Sequence, residues 1–329
     1  MKKSLLAVLF LVFIRIFSQD IPAQNQGLVK DPFFNNQNPQ GQSGKKVQHK
    51  HSDTFGVSPD KYDGNPVFSG NVVFEQQGSV LTANEVVWYQ KENFLKAIGN
   101  VVLTSADGSR ITAAEMEYDG NTQRGIARKN VVLTDPKQTI KTETLYYDKI
   151  PNTAYFNTGG TIYSNDGSVM YTKSATYNLN SKMIDFVGRS NIETDKYTIV
   201  SDNIKQNQNT GVSDFFGPTT IRDKKNPINY VYTEQGSYNS KTGESFLNKN
   251  SRIHNNGKIL TGDKLYFNRN TGFGKGTGNV MLDDPREKRY IKGGYGEIYE
   301  KKDSAMITDK PYFVKIFARD SLYMSADKF

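Results

Sequence analysis

The chain contains no cysteine. That excludes disulfide staples, thiolate metal sites and thiol nucleophiles, and it excludes anchoring through a lipid-modified cysteine. Histidine is nearly as scarce, with three residues in 329, so imidazole relays have little to draw on. Lysine and arginine are scattered and form no long basic run, which argues against nucleic acid as a partner. No apolar stretch beyond the N-terminal residues could cross a bilayer as a helix. No long helical periodicity is present anywhere.

Tyrosine and phenylalanine fill part of what is missing, at 19 each, while hydrophobic residues overall reach only 36%. Many half-buried strands suit that mixture better than one thick helical core. The net charge is +8. Residues 1–19 carry Lys2, Lys3 and Arg15 and no acid, so without them the balance is +5. Their basic start and short apolar run, Leu5 to Phe17, predict a cleaved secretion signal. Residues 20–46 are rich in Asn, Gln, Pro and Gly and are expected to form a flexible polar leader.

From residue 47 onward the chain repeats itself with a period of about thirty residues. Copies of Leu81-Thr82-Ala83-Asn84-Glu85-Val86-Val87-Trp88-Tyr89 begin at Ile111, Ile140, Met170, Ile199, Val231, Leu260, Ile291 and Met324. The first position is aliphatic or Met. The third is small, as in Ala83, Ala113, Thr142, Thr172, Ser201 and Thr233. The eighth is aromatic in Trp88, Tyr118, Tyr147, Tyr177, Tyr238 and Phe267, with Gln206 and Ile298 as exceptions. A second element, Gly-Asn-Val-x-x, recurs at Gly70, Gly99 and Gly278, and a third short apolar piece such as Phe94-Leu95-Lys96-Ala97 closes the unit. Each unit therefore predicts three short strands separated by turn-formers such as Asp107-Gly108. Positions one and three of the motif share a face, and so do six and eight. The step of three between the pairs predicts a bend or bulge beside the small third residue.

The Gly-Asn-Val opening, the Leu-x-Ala-x-x-Val-x-Tyr body and the period resemble the OstA-like family, over about residues 47–329. That family takes in the periplasmic bridge of lipopolysaccharide transport (LptA) and the N-terminal domain of the outer-membrane assembly protein (LptD). The resemblance implies an all-β, elongated open β-jellyroll of stacked repeats, folded like a shell. It implies a non-enzymatic conduit for the acyl chains of lipopolysaccharide or lipooligosaccharide in the periplasm, with outer-membrane association in view. It further implies end-to-end strand addition to other Lpt-type jellyroll proteins or to further copies of itself. The chain stops at Met324-Ser325-Ala326-Asp327-Lys328-Phe329, inside a motif copy. A continuation into more repeats or a membrane barrel is therefore expected.

No catalytic, cofactor or metal site is expected. His49 and His51 sit where the leader meets the repeats, and His254 sits beside an Asn-Asn-Gly turn; solvated loops account for all three. Glu115 and Glu117 alternate with motif residues and should face outward, and Asp283-Asp284-Pro285 should be a turn. Gly272-Phe273-Gly274-Lys275-Gly276 precedes no helix, so it is not a phosphate loop. A trough for acyl chains would be lined by Val72, Phe74, Leu81, Val86, Val101 and Leu103, then by Ile111, Met116, Val131, Leu133, Ile140 and Leu145. Leu260, Leu265, Val280 and Leu282 would continue it. The same residues would serve a closed, dry core equally well. A structural or adhesive β-solenoid on the cell surface is therefore the competing reading. A sugar-binding module is a third, and it would need the aromatic ladder to be exposed.

Overall fold

The computed structural model describes residues 28–35, 46–302 and 304–329; the expected secretion signal lies outside them. Among the described residues, 24 strands join in one antiparallel sheet. Over most of its length each strand pairs with the next. Pro66–Gln76 pairs with Ser79–Tyr89, that with Phe94–Thr104, and then follow Arg110–Asp119, Arg124–Thr134 and Gln138–Asp148.

The sequence predicts three short strands per unit, but in this region two of the pieces fuse. Phe94-Leu95-Lys96-Ala97 and Gly99-Asn100-Val101-Val102-Leu103 are two arms of the single strand Phe94–Thr104. The fusion works because the Gly-Asn pair turns a corner without ending the strand. Gly99 has φ 76° and Asn100 has φ 47°, both left-handed, a region open to Gly at no cost and tolerated by Asn. A Cβ on Gly99 would also lie 2.8 Å from the Asn84 side chain. Separate short strands remain at Thr153–Phe156 and Gly160–Ser164, and at Glu244–Lys249 and Ser251–Asn255.

The bend predicted within the motif is present. Register shifts between Thr82 and Glu85, between Ile98 and Val101, and between Thr112 and Glu115, always beside the small third residue or the Gly-Asn corner. Each bent strand thus gives one arm to each of two walls that meet at a crease. Val86 and Met116 from one wall share a core with Val72 and Leu103 from the other. That core runs without a break from Val47 to Phe215, and a second, smaller one gathers Leu247, Leu260, Leu265, Val280 and Ile307. The fold is an elongated all-β jellyroll.

The crease changes chemistry along its length. Near the N-terminal end it is built from Val72, Ala83, Val101 and Ala113, all buried. Farther on, hydroxyls pair across it: Ser190 donates to Thr172 at 2.9 Å, Ser201 and Thr219 lie 2.7 Å apart, and Thr233 and Ser251 2.9 Å apart. Each buried hydroxyl finds its partner on the adjacent strand, so none carries the cost of an unmade bond.

Part of the expected flexible leader is docked. Residues 28–35 lie on the outer face of one wall, where Phe34 meets Phe94 edge-on at 5.2 Å and Phe33 meets Tyr146 at 5.1 Å. Lys30 pairs with the buried Asp119 at 2.9 Å, and Asp31 pairs with Arg128 at 3.1 Å. The leader's average polarity hid this segment, because two adjacent phenylalanines supply enough apolar area to offset the ordering of a few residues.

Candidate functional site

Every strand end of one wall faces a strand end of the other across a seam opposite the crease, and the seam decides whether the interior is reachable. In the N-terminal half, motif tyrosines close it. The Tyr118 hydroxyl donates to Gln76 Oε1 at 2.5 Å. Tyr147 donates to Asn152 Oδ1 at 3.1 Å and lies 3.3 Å from the Ser105 hydroxyl across the seam. Tyr177 donates to Asp135 Oδ2, which also takes Lys182 Nζ at 2.8 Å. Lys149 adds a bond to the Gln76 carbonyl at 2.9 Å. Burial pushes the Tyr118 and Tyr177 phenols far above their ordinary range, so they stay protonated donors. Burial also pushes Asp135 upward. The bonds from Lys182, Tyr177 and the Lys137 backbone outweigh it, and the carboxyl ends below its ordinary value.

Toward the C-terminus the latches run out. The eighth motif position becomes Gln206, Tyr238, Phe267 and Ile298, and two cavities open along the seam. The first, about 560 Å³, is lined by Ile199, Ile221, Val231, Tyr238 and Gln208 among others. The second, about 290 Å³, is lined by Val231, Ile253, Leu260, Leu282 and Ile298 among others. Tyr197, Ile221, Val231, Phe267 and Arg269 border both. Arg269 bars the mouth between them: its guanidinium lies 5.3 Å from the Tyr197 ring centre and 5.9 Å from that of Tyr238. Tyr197 belongs to one wall and Tyr238 to the other.

The residues that the sequence assigns to a trough fall into two groups. The twelve from Val72 to Leu145 are all buried within the large core, sealed beneath the tyrosine latches. Leu260, Leu265 and Val280 are buried in the smaller core, where Leu260 also touches the second cavity, and the partly buried Leu282 lines that cavity. The aromatic ladder packs inward: Tyr118, Tyr147 and Tyr177 are buried, and Trp88 and Tyr238 lie half-buried against the large core. Glu115 and Glu117 pair with Lys129 and Arg128 on the outer face. His49 departs from the solvated loop expected of it. It sits in the strand Gln48–His51 and stacks on Phe68 at 4.3 Å, because it caps the end of the core.

Tyr197 and Arg269 escape the nine-residue motif. Arg269 occupies the tenth position, the first turn residue past the motif, where Lys149 and Gln208 also stand. All three reach across the seam: Lys149 to Gln76, Gln208 to Gln138 at 2.6 Å, and Arg269 to Tyr197. Extending the alignment by one residue would have exposed this pattern.

Residues 44–202 match the family model for OstA-like proteins. No curated protein matches the chain. Among solved structures it is similar to LptH from Pseudomonas aeruginosa, described as the LptA-homologous periplasmic component of the lipopolysaccharide transport device. Identity there is 14%, with 43% of this chain and 81% of LptH covered and a TM-score of 0.21. The WD40 domain of SCAP from fission yeast aligns at 8% identity over 85% of this chain and 90% of its own, with a TM-score of 0.14. At such overlap neither superposition speaks for function. The family match covers the latched, closed half of the shell, and over residues 44–202 the chain is similar to OstA-like proteins.

Proposed function

We propose that this chain is a non-enzymatic periplasmic carrier in lipopolysaccharide transport, holding lipid acyl chains between its two walls. The observation that carries this reading is the two-walled apolar interior, continuous from Val47 to Phe215 and reachable through the seam beyond it. Each CH₂ hidden from water is worth about 0.8 kcal/mol, so several acyl chains crossing an aqueous gap need such a lining. The OstA-like match and the basic, apolar N-terminus support an exported carrier.

Partners of the same fold fit the exposed outer strands. Thr54–Val57 is exposed along its length, and Ser321–Ser325 shows Tyr323 at 69% exposure. Strands of this kind offer backbone groups for another copy, or for a similar jellyroll protein, to extend the sheet.

The test is photocrosslinking in cells, with a light-activated residue at Ile199, where the large core meets the first cavity, at Leu282, or at the outward-facing Val102. Lipopolysaccharide adducts at the inward positions and none at Val102 are expected. Adducts at no position, with the protein folded, would leave a filled structural solenoid in place of a carrier.

A further inference from the structure

Arg269 is a guanidinium with no ion-pair partner among the described residues, held over two rings at the mouth of an apolar cleft. Asp195 acts on it only through space. The acids nearby on the smaller cavity are occupied. Asp223 Oδ1 accepts the backbone N–H groups of Lys225 and Asn226 at 2.7 and 3.0 Å, and Glu300 Oε1 accepts from Asn255 at 3.2 Å. A hydrogen bond to Tyr197 and the ring contacts with Tyr197 and Tyr238 hold the guanidinium in place, which reduces the rotamer freedom that a ligand would otherwise have to freeze. Below it, the partly buried Val231, Leu282 and Ile298, backed by the buried Leu260, offer an apolar wall of the kind that takes a hydrocarbon chain.

We infer that this cleft is a binding site for a phosphate-bearing amphiphile. Its phosphate would pair with the Arg269 fork, and one acyl chain would lie along Val231, Leu260 and Leu282. A fork of N–H donors matches phosphate oxygens two at a time, which a lone ammonium does not. The site lies almost wholly beyond the residues that match the OstA-like model, in the half where the seam is open. The inference rests on the carrier reading and adds to it the place of loading and the group that recognises the head.

The experiment titrates the purified full chain with lysophosphatidic acid, with a monoacylglycerol of the same chain length, and with inorganic phosphate. Lysophosphatidic acid is expected to bind, the neutral lipid to bind about tenfold more weakly or less, and phosphate alone not to bind measurably. Arg269→Gln should remove the tenfold preference, so that lysophosphatidic acid and the monoacylglycerol bind alike, while Arg269→Lys should restore part of it. An unchanged preference in Arg269→Gln, or equal loss for both lipids, overturns the site. Lipopolysaccharide and phosphatidylglycerol, competed against bound lysophosphatidic acid, distinguish the two natural sources of the same chemistry. If no lipid binds the cleft while lipopolysaccharide still crosslinks at Ile199, this inference fails and the carrier reading stands. Failure at both positions removes both.

Discussion

The two halves of the shell are built from one motif yet end in different states. In residues 66–178 the eighth position supplies Tyr118, Tyr147 and Tyr177, whose hydroxyls reach polar groups of the opposite wall and close the seam. In residues 195–305 that position supplies Gln206, Tyr238, Phe267 and Ile298, and the seam opens on two cavities. Phe267 and Ile298 are as apolar as a tyrosine ring but carry no donor. The difference between a core and a cleft here therefore follows which eighth-position side chains bond across the seam, as Tyr118, Tyr147 and Tyr177 do, and not a change of fold. A closed core tolerates no ligand without displacing packed side chains, whereas the open half presents apolar wall already in contact with solvent.

The largest test of that contrast is a matched pair of truncations. Leu133→Ala removes atoms from the sealed core and should cost about 3 kcal/mol, because the neighbours are fixed by two walls and relax only in part. Leu282→Ala removes the same atoms from a cavity lining that already lacks neighbours on one side, and should cost under about 1 kcal/mol. Urea unfolding midpoints of the two variants check this. Equal losses would mean that the C-terminal half is packed as tightly as the N-terminal half.

How much of this was readable in the residues follows the same division. The period, the bend beside Ala83 and Ala113, and the inward direction of Val72, Val101 and Leu133 all follow from local spacing, which the backbone geometry obeys directly. The fusion of two predicted pieces into one strand turns on the left-handed Gly99-Asn100 corner, and a Gly-Asn pair reads equally well as a strand-ending turn. The latches were invisible because Tyr118 meets Gln76 and Tyr177 meets Asp135 across 42 residues of chain. The docked Phe33-Phe34 pair was masked by its polar neighbours. Arg269 looked like any charged turn residue, since its role appears only once two walls stand on either side of it.

A second test acts on the strongest latch. The Asp135 side chain is fully buried between Lys182 and Tyr177, so Asp135→Asn leaves the Lys182 ammonium without its counter-charge and should cost about 2 kcal/mol at pH 7. The folded-state value of this carboxyl is lowered. Its contribution is therefore fully present above the unfolded value near 4 and is lost as pH falls through the folded one. Wild type and variant should converge in stability as pH falls below about 4 through the lowered folded value, and a gap that does not shrink over that range would remove the charge from the explanation. Tyr177 has a raised value, so its share is fully present below the unfolded value of about 10 and is lost as pH rises from there through the folded one.

The smallest effects separate a latch from a bar. Tyr147→Phe keeps the ring packed and removes only the hydroxyl bonded to Asn152 and lying near Ser105, at a cost of about 1 kcal/mol. The Lys149 bond to the Gln76 carbonyl remains, so the seam should stay shut and an apolar fluorescent dye should bind no better than to wild type. Arg269→Gln, by contrast, should change stability by no more than about 0.5 kcal/mol, the low end for a contact between a cation and a ring. A latch holds the fold together and a bar only spans an opening. Comparable losses in the two variants would place Arg269 among the latches and make the open half a closed one that has lost its tyrosines.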